Sequence, residues 1–134
     1  MMKKEEKKQE VRKGDVAIDH ELSMAVMNLI SIEEHLACTI GKTGDKEYLE
    51  LYNQIRSLRS KYMKKIVTNK KGESWCIAKH LLSTTMRLIE TGVKHGALGE
   101  VDEAVNMFTD AMDTFQVFFL MQKMSDSKIG RAHV

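Results

Sequence analysis

No proline occurs anywhere in the 134 residues, and that absence constrains the fold more than any motif does. Proline interrupts a helix most sharply, because it lacks the backbone N–H and its ring clashes with the preceding turn. A chain without it, broken only by small glycine-bearing stretches, can carry long helices. The breaks fall at residues 41–44, 68–73 and 96–99, each with glycine, where positive φ costs little. Between them apolar residues recur at helical spacing. The length suits one domain with a core of its own. Connections of about four to six residues are too short for crossovers, so consecutive helices are expected to be antiparallel neighbours. The predicted fold class is all-α, an antiparallel up-down-up-down four-helix bundle. It is expected over residues 15–126, with a charged flexible tail at 1–14 and an unstructured tail at 127–134.

Taken in order, the first helix is expected over residues 15–41, with Asp15 as N-cap. Its core stripe reads Ile18, Leu22, Ala25, Leu29, Ile32, Leu36 and Ile40. The steps alternate four and three, the seam of a left-handed bundle. A second stripe, Glu21, Met24, Asn28, Ser31, His35 and Cys38, is mostly polar and reads as a boundary face. The second helix, 45–67, carries Tyr48, Leu51, Tyr52, Ile55, Leu58, Tyr62 and Ile66, with Lys61, Lys64 and Lys65 near its negative end. Ser74 can cap a third helix over 75–95. Its ridges are Ala78–Leu82–Ile89–Val93 and Ile77–Leu81–Leu88. Gly92 lies inside that pattern and costs about 1 kcal/mol relative to Ala, so a close helix contact, with Ala104, is expected there. The fourth helix, 100–124, opens on Glu100, Asp102 and Glu103, where the dipole favours negative charge.

Residues 1–13 carry six basic and three acidic groups without an apolar segment, so no signal peptide is expected there. They read as a solvated tail or a frayed helical extension. The longest apolar run, 117–121, is far too short to cross a bilayer. Two cysteines without a secretion signal predict reduced thiols and a cytoplasmic location. Residues 129–134, IGRAHV, read like one frame of a common short-read sequencing adapter and are set aside.

Residues 85–112 resemble one tetratricopeptide repeat. Gly92, Gly99, Asp102, Glu103, Ala104, Phe108 and Ala111 stand at that family's relative spacings, with Leu88 at its first large position and Val101 at the usual aromatic one. The resemblance implies two closely approaching antiparallel helices and, more weakly, peptide binding. It covers about a fifth of the chain, in one copy.

The candidate chemistry is sparse. A carboxylate-bridged di-iron bundle needs Glu-x-x-His, and the residues three before His20, His35, His80 and His95 are Ala17, Ile32, Ile77 and Gly92. His35 with Cys38, and Cys76 with His80, have zinc's ligand types and face one way on their helices. In side-by-side helices the two pairs would stand ~30 Å apart, so separate half-sites, near His95 and near His20, are the form left open. The same pairs could supply a thiol nucleophile and a base, but no oxyanion donor or orienting acid accompanies them. No metal and no cofactor is expected. A basic face of Arg56, Arg59, Lys61, Lys64 and Lys65, with Lys70 and Lys71 beyond, is the candidate nucleic-acid surface. Those residues wrap around the helix, and the tyrosines lie on the core side, where they are poor stacking platforms.

Helix pairing has the better support. Phe115, Phe118, Phe119, Leu120 and Met121 make the fourth helix apolar on nearly every side, so they are the candidate protein interface. Residues 45–71 carry eight basic against three acidic groups and residues 99–126 one against six, which could select a partner or a second copy. The expected function is therefore a small helical protein-interaction or self-associating module without an enzyme signature or a membrane segment. A nucleic-acid-associated protein is the alternative, and a metal- or thiol-dependent bundle stands third.

Overall fold

The computed structural model describes residues 2–124, and the side chains of residues 16–124. It contains four helices: α1 (Met2–Thr43), α2 (Glu47–Ile66), α3 (Gly72–Ala97) and α4 (Val101–Gln122). No strand occurs among the described residues. The all-α helical bundle is the expected fold class. The expected start at Asp15 falls inside α1, which continues back to Met2. The expected tail at 127–134 lies outside the described residues.

The ends of the helices follow from local chemistry. Gly44 takes φ +67° after α1, and Gly99 takes φ +79° after α3, a conformation that would strain other residues. Around Gly99 the N–H of Glu100 reaches His95 O at 2.9 Å, which satisfies a carbonyl that the helix end leaves unpaired. Asp45 Oδ1 accepts the Glu47 N–H at 3.0 Å where α2 begins. Ser74 does not cap α3. It is buried inside the first turns, and its Oγ accepts Asn69 Nδ2 at 3.0 Å.

Two antiparallel hairpins result. In α3–α4, Gly96 faces Ala104 and Gly92 faces Phe108, so positions fall on one helix as they rise on the other. In α1–α2, Glu33 pairs with Arg59, while Val16 and Asp19 share a cavity with Ile66 and Val67. The hairpins do not lie side by side. Close backbone packing joins α1 to α2, α3 to α4 and α1 to α3, while α2 meets α3 through side chains only. His20 of α1 touches Phe115 and Phe119 of α4, Ser31 and Glu34 reach Arg87 and Ser83 of α3, and Ala37 shares a cavity with Lys79 and His80. From His20 to Glu34 the first helix advances roughly 21 Å. Its contacts pass from α4 at His20 to α3 at Ser31, and from Ser31 to Ala37 they descend α3 from Arg87 to Lys79 and His80. The α1–α2 hairpin therefore crosses from α4 to α3, with the first helix running opposite to the third where they meet, and the expectation that these two helices run parallel is corrected.

The core sits at that crossing. Val26, Met27 and Ile30 from α1, Met63 and Ile66 from α2, Ala78 and Leu82 from α3, and Phe115, Phe118 and Met121 from α4 form one buried cluster. Burying a side chain such as Phe118 contributes up to ~3 kcal/mol. A crossing buries only the part of each helix that lies under the other hairpin. That is why the face of α1 turned inward is Ser23, Val26, Met27, Ile30, Ser31 and Glu33, and not the expected seam. The expected partner of Gly92 is likewise corrected: Phe108 and Met107 stand against it, and Ala104 stands against Gly96.

Candidate functional site

The residues singled out as an interface divide into two groups. Phe115, Phe118 and Met121 are buried in the chain's own core, so they are withdrawn from any surface. The physical reason is the crossing, which places α1 and the end of α2 against this end of α4. His20 lies 5.2 Å from Phe115 and 6.2 Å from Phe119 between ring centroids, and Thr68 Oγ1 donates to Gln122 O at 2.9 Å. Phe119 is half-buried beside a cavity of about 510 Å3, and Leu120 is exposed.

The basic residues of α2 divide as well. Arg59 is withdrawn from a nucleic-acid surface, because it is buried and held by Glu33, Nε to Oε2 at 2.8 Å and the second guanidinium nitrogen to Oε1 at 3.0 Å. Arg56 turns toward the cavity at the crossing. Lys61 and Lys65 lie over the Tyr62 ring, 5.4 and 5.7 Å from its centroid. Lys64 is exposed. The set is thus split among four environments and does not form one stripe.

The histidine and cysteine pairs are not assembled as the spacing suggested. Cys38 and Cys76 are free and exposed. His80 lines a cavity with Ala37, next in sequence to Cys38, so the ~30 Å separation expected of parallel helices is corrected. His20 faces phenylalanines, and His95 Nδ1 lies 3.6 Å from a Glu100 carboxylate oxygen. Among the described residues no group of three His, Cys, Asp or Glu is placed to hold a metal ion.

What the structure does leave open is the heptad seam of α1. Ile18 and Ile32 are exposed, and Leu22, Leu29, Leu36 and Ile40 are only half-buried. Ile32 retains 41% of its surface and Leu58 of α2 retains 42%. At 100° per residue, Leu51, Ile55 and Leu58 occupy the flank of α2 beside its buried positions Arg59, Met63 and Ile66. Leu22 of the seam and Tyr62 of the stripe pack against the core. The α1–α2 hairpin thus presents a second apolar area outside the core, most exposed at Ile18 and Ile32 of α1 and Leu51 and Leu58 of α2. The signal in the sequence is the four-three spacing, which by itself does not distinguish a seam turned inward from one turned outward.

A smaller uncovered area runs along Val101, Val105, Phe108 and Met112 of α4, with Val93 of α3 beside it. Its surroundings are acidic: Asp102, Glu103, Asp110 and Asp113 lie on the same helix.

Comparison with protein-family models, curated proteins and solved structures finds no match to this chain. Among the described residues no helix is long and apolar enough to cross a membrane.

Proposed function

We propose that the chain is a small helical interaction module that pairs with a second copy of itself through the outer face of the α1–α2 hairpin. The observation that supports this reading is the seam of α1, exposed at Ile18 and Ile32 and only half-buried at Leu29, Leu36 and Ile40, spaced as helix-pairing seams are spaced. A seam from residue 18 to 40 is roughly 33 Å long at 1.5 Å per residue. Two helices each about 10 Å wide then offer roughly 650 Å2 per copy, near the ~800 Å2 per partner of an ordinary stable interface.

Charge favours a second copy as the occupant. Residues 14–44 carry one basic and five acidic groups, while 45–71 carry eight basic and three acidic. In a two-fold pair whose axis runs along the helices, α1 of each copy lies over α2 of the other. Glu21 beside the α1 seam then meets Lys61 and Lys65 beside the α2 stripe. The apolar strip on α4 lacks this property, since a second copy there would set acid against acid.

The test is hydrogen exchange of the full chain at low and high concentration. Self-pairing protects peptides covering residues 18–40 and 48–62 as concentration rises, and leaves 101–112 unchanged. Protection confined to 101–112, or none at any concentration, overturns the reading.

A further inference from the structure

A cavity of about 430 Å3 lies where the two hairpins cross, walled by α1, α2 and α3. One wall is the buried Glu33–Arg59 pair, whose side chains are 8% and 7% exposed. Both carboxylates on the cavity are engaged. Glu33 is gripped by both nitrogens of Arg59, and Glu34 accepts the Ser83 hydroxyl at 2.9 Å and stands 3.7 Å from Arg87 Nε. Arg56 from α2 and Lys79 from α3 line the same space, and among the described residues neither has an ion-pair partner. His80 and the Tyr52 side chain border it too. The lining therefore carries more cation than anion, with donors arriving from two helices that cross.

We propose that this cavity binds a small phosphate-bearing molecule, its phosphate held between Arg56, Lys79 and His80. Cations left without acids around a recess focus field on whatever anion enters it. A phosphate group offers a charge near −2 and three acceptor oxygens, which suit donors converging from several directions better than the two oxygens of a planar carboxylate. The volume is in the range of small-ligand sites, so the group can carry an organic body. The buried Glu33–Arg59 pair holds α1 to α2 on one side of the recess, and the Ser83–Glu34 and Arg87–Ser31 bonds hold α1 to α3 on the other. The recess is thus braced before a ligand arrives.

The experiment titrates the full chain with inorganic phosphate at constant ionic strength, reading thermal stability and the ring resonances of the histidines. Chloride and acetate serve as the two comparison arms. Phosphate is expected to raise Tm saturably and to shift the His80 ring, with chloride and acetate doing neither. The variant Arg56→Gln with Lys79→Gln is expected to lower phosphate affinity by about tenfold or more, while its Tm in chloride stays at the wild-type value. Phosphate acting no better than chloride overturns the proposal, and so does a variant that retains the wild-type affinity. Acetate matching phosphate overturns the assignment to a phosphate. Were the variant to lose its fold, the His80 shift in the wild-type chain still decides.

Discussion

Arg59 and Glu33 form a two-pronged, buried ion pair between α2 and α1, with contacts of 2.8 and 3.0 Å. The charged heads close on one another on the wall of the cavity at the crossing. A pair of this kind costs several kcal/mol in desolvation per ion, which the mutual attraction only about offsets. Its contribution is therefore registry between the two helices more than net stability.

From this follows an asymmetry between single and double substitution. Glu33→Ala leaves a buried guanidinium without its acid and is expected to cost about 3–5 kcal/mol in urea unfolding. Glu33→Leu together with Arg59→Met fills the same space with apolar groups and is expected to return stability to near the wild-type value or above it. Equal losses in the two variants would contradict this account of the pair.

At Gly92 two effects oppose each other. Alanine is the better helix former by about 1 kcal/mol. An added Cβ, however, would stand 2.8 Å from Phe108 Cε1 and 3.2 Å from Met107 Cβ. Crowding of that sort costs ~1–3 kcal/mol, so Gly92→Ala is expected to destabilise by on the order of 1 kcal/mol. In a Phe108→Ala background the ring is gone, and at least half of that loss should be recovered. Denaturant titration of the four chains in the cycle gives the answer, and additivity of the two substitutions would show that the ring is not the obstacle.

Phe118 and Leu120 sit two residues apart on α4 in opposite environments, 0% and 61% exposed. Phe118→Ala is expected to cost about 3–5 kcal/mol as a core deletion. Leu120→Ala is expected to change stability by less than about 0.5 kcal/mol. Thermal melts at low protein concentration distinguish the two. A large loss from Leu120→Ala alone would show that this end of α4 is covered by something beyond the chain's own core.

Much of the architecture was legible from periodicity. Four helices, three glycine-bearing turns and two antiparallel hairpins follow from the spacing of apolar residues and from Gly44 and Gly99. The crossing of the hairpins was not legible, because it depends on which flank of each helix meets the other hairpin. Heptad spacing on α1 identifies a pairing seam without naming the partner. Of the polar residues that do lie inside, Ser31, Glu33 and Arg59 carry no mark in the sequence, since each is made tolerable by a partner distant along the chain, whereas the Ser23 hydroxyl donates to the Asp19 carbonyl one turn back. The close approach at Gly92 was readable as a contact, but its partner was displaced by one helical turn, from Ala104 to Phe108.

The most direct test of the central claim is sedimentation equilibrium of the full chain beside the variant Ile32→Lys with Leu58→Lys. Both positions lie on the outer face of the α1–α2 hairpin and away from the core, so the variant should keep the wild-type helical signal. The account predicts a wild-type mass that rises to twice the monomer's with concentration, and a variant that stays monomeric throughout. A wild-type chain that remains monomeric at the highest attainable concentration, or a variant that associates as the wild type does, would contradict it.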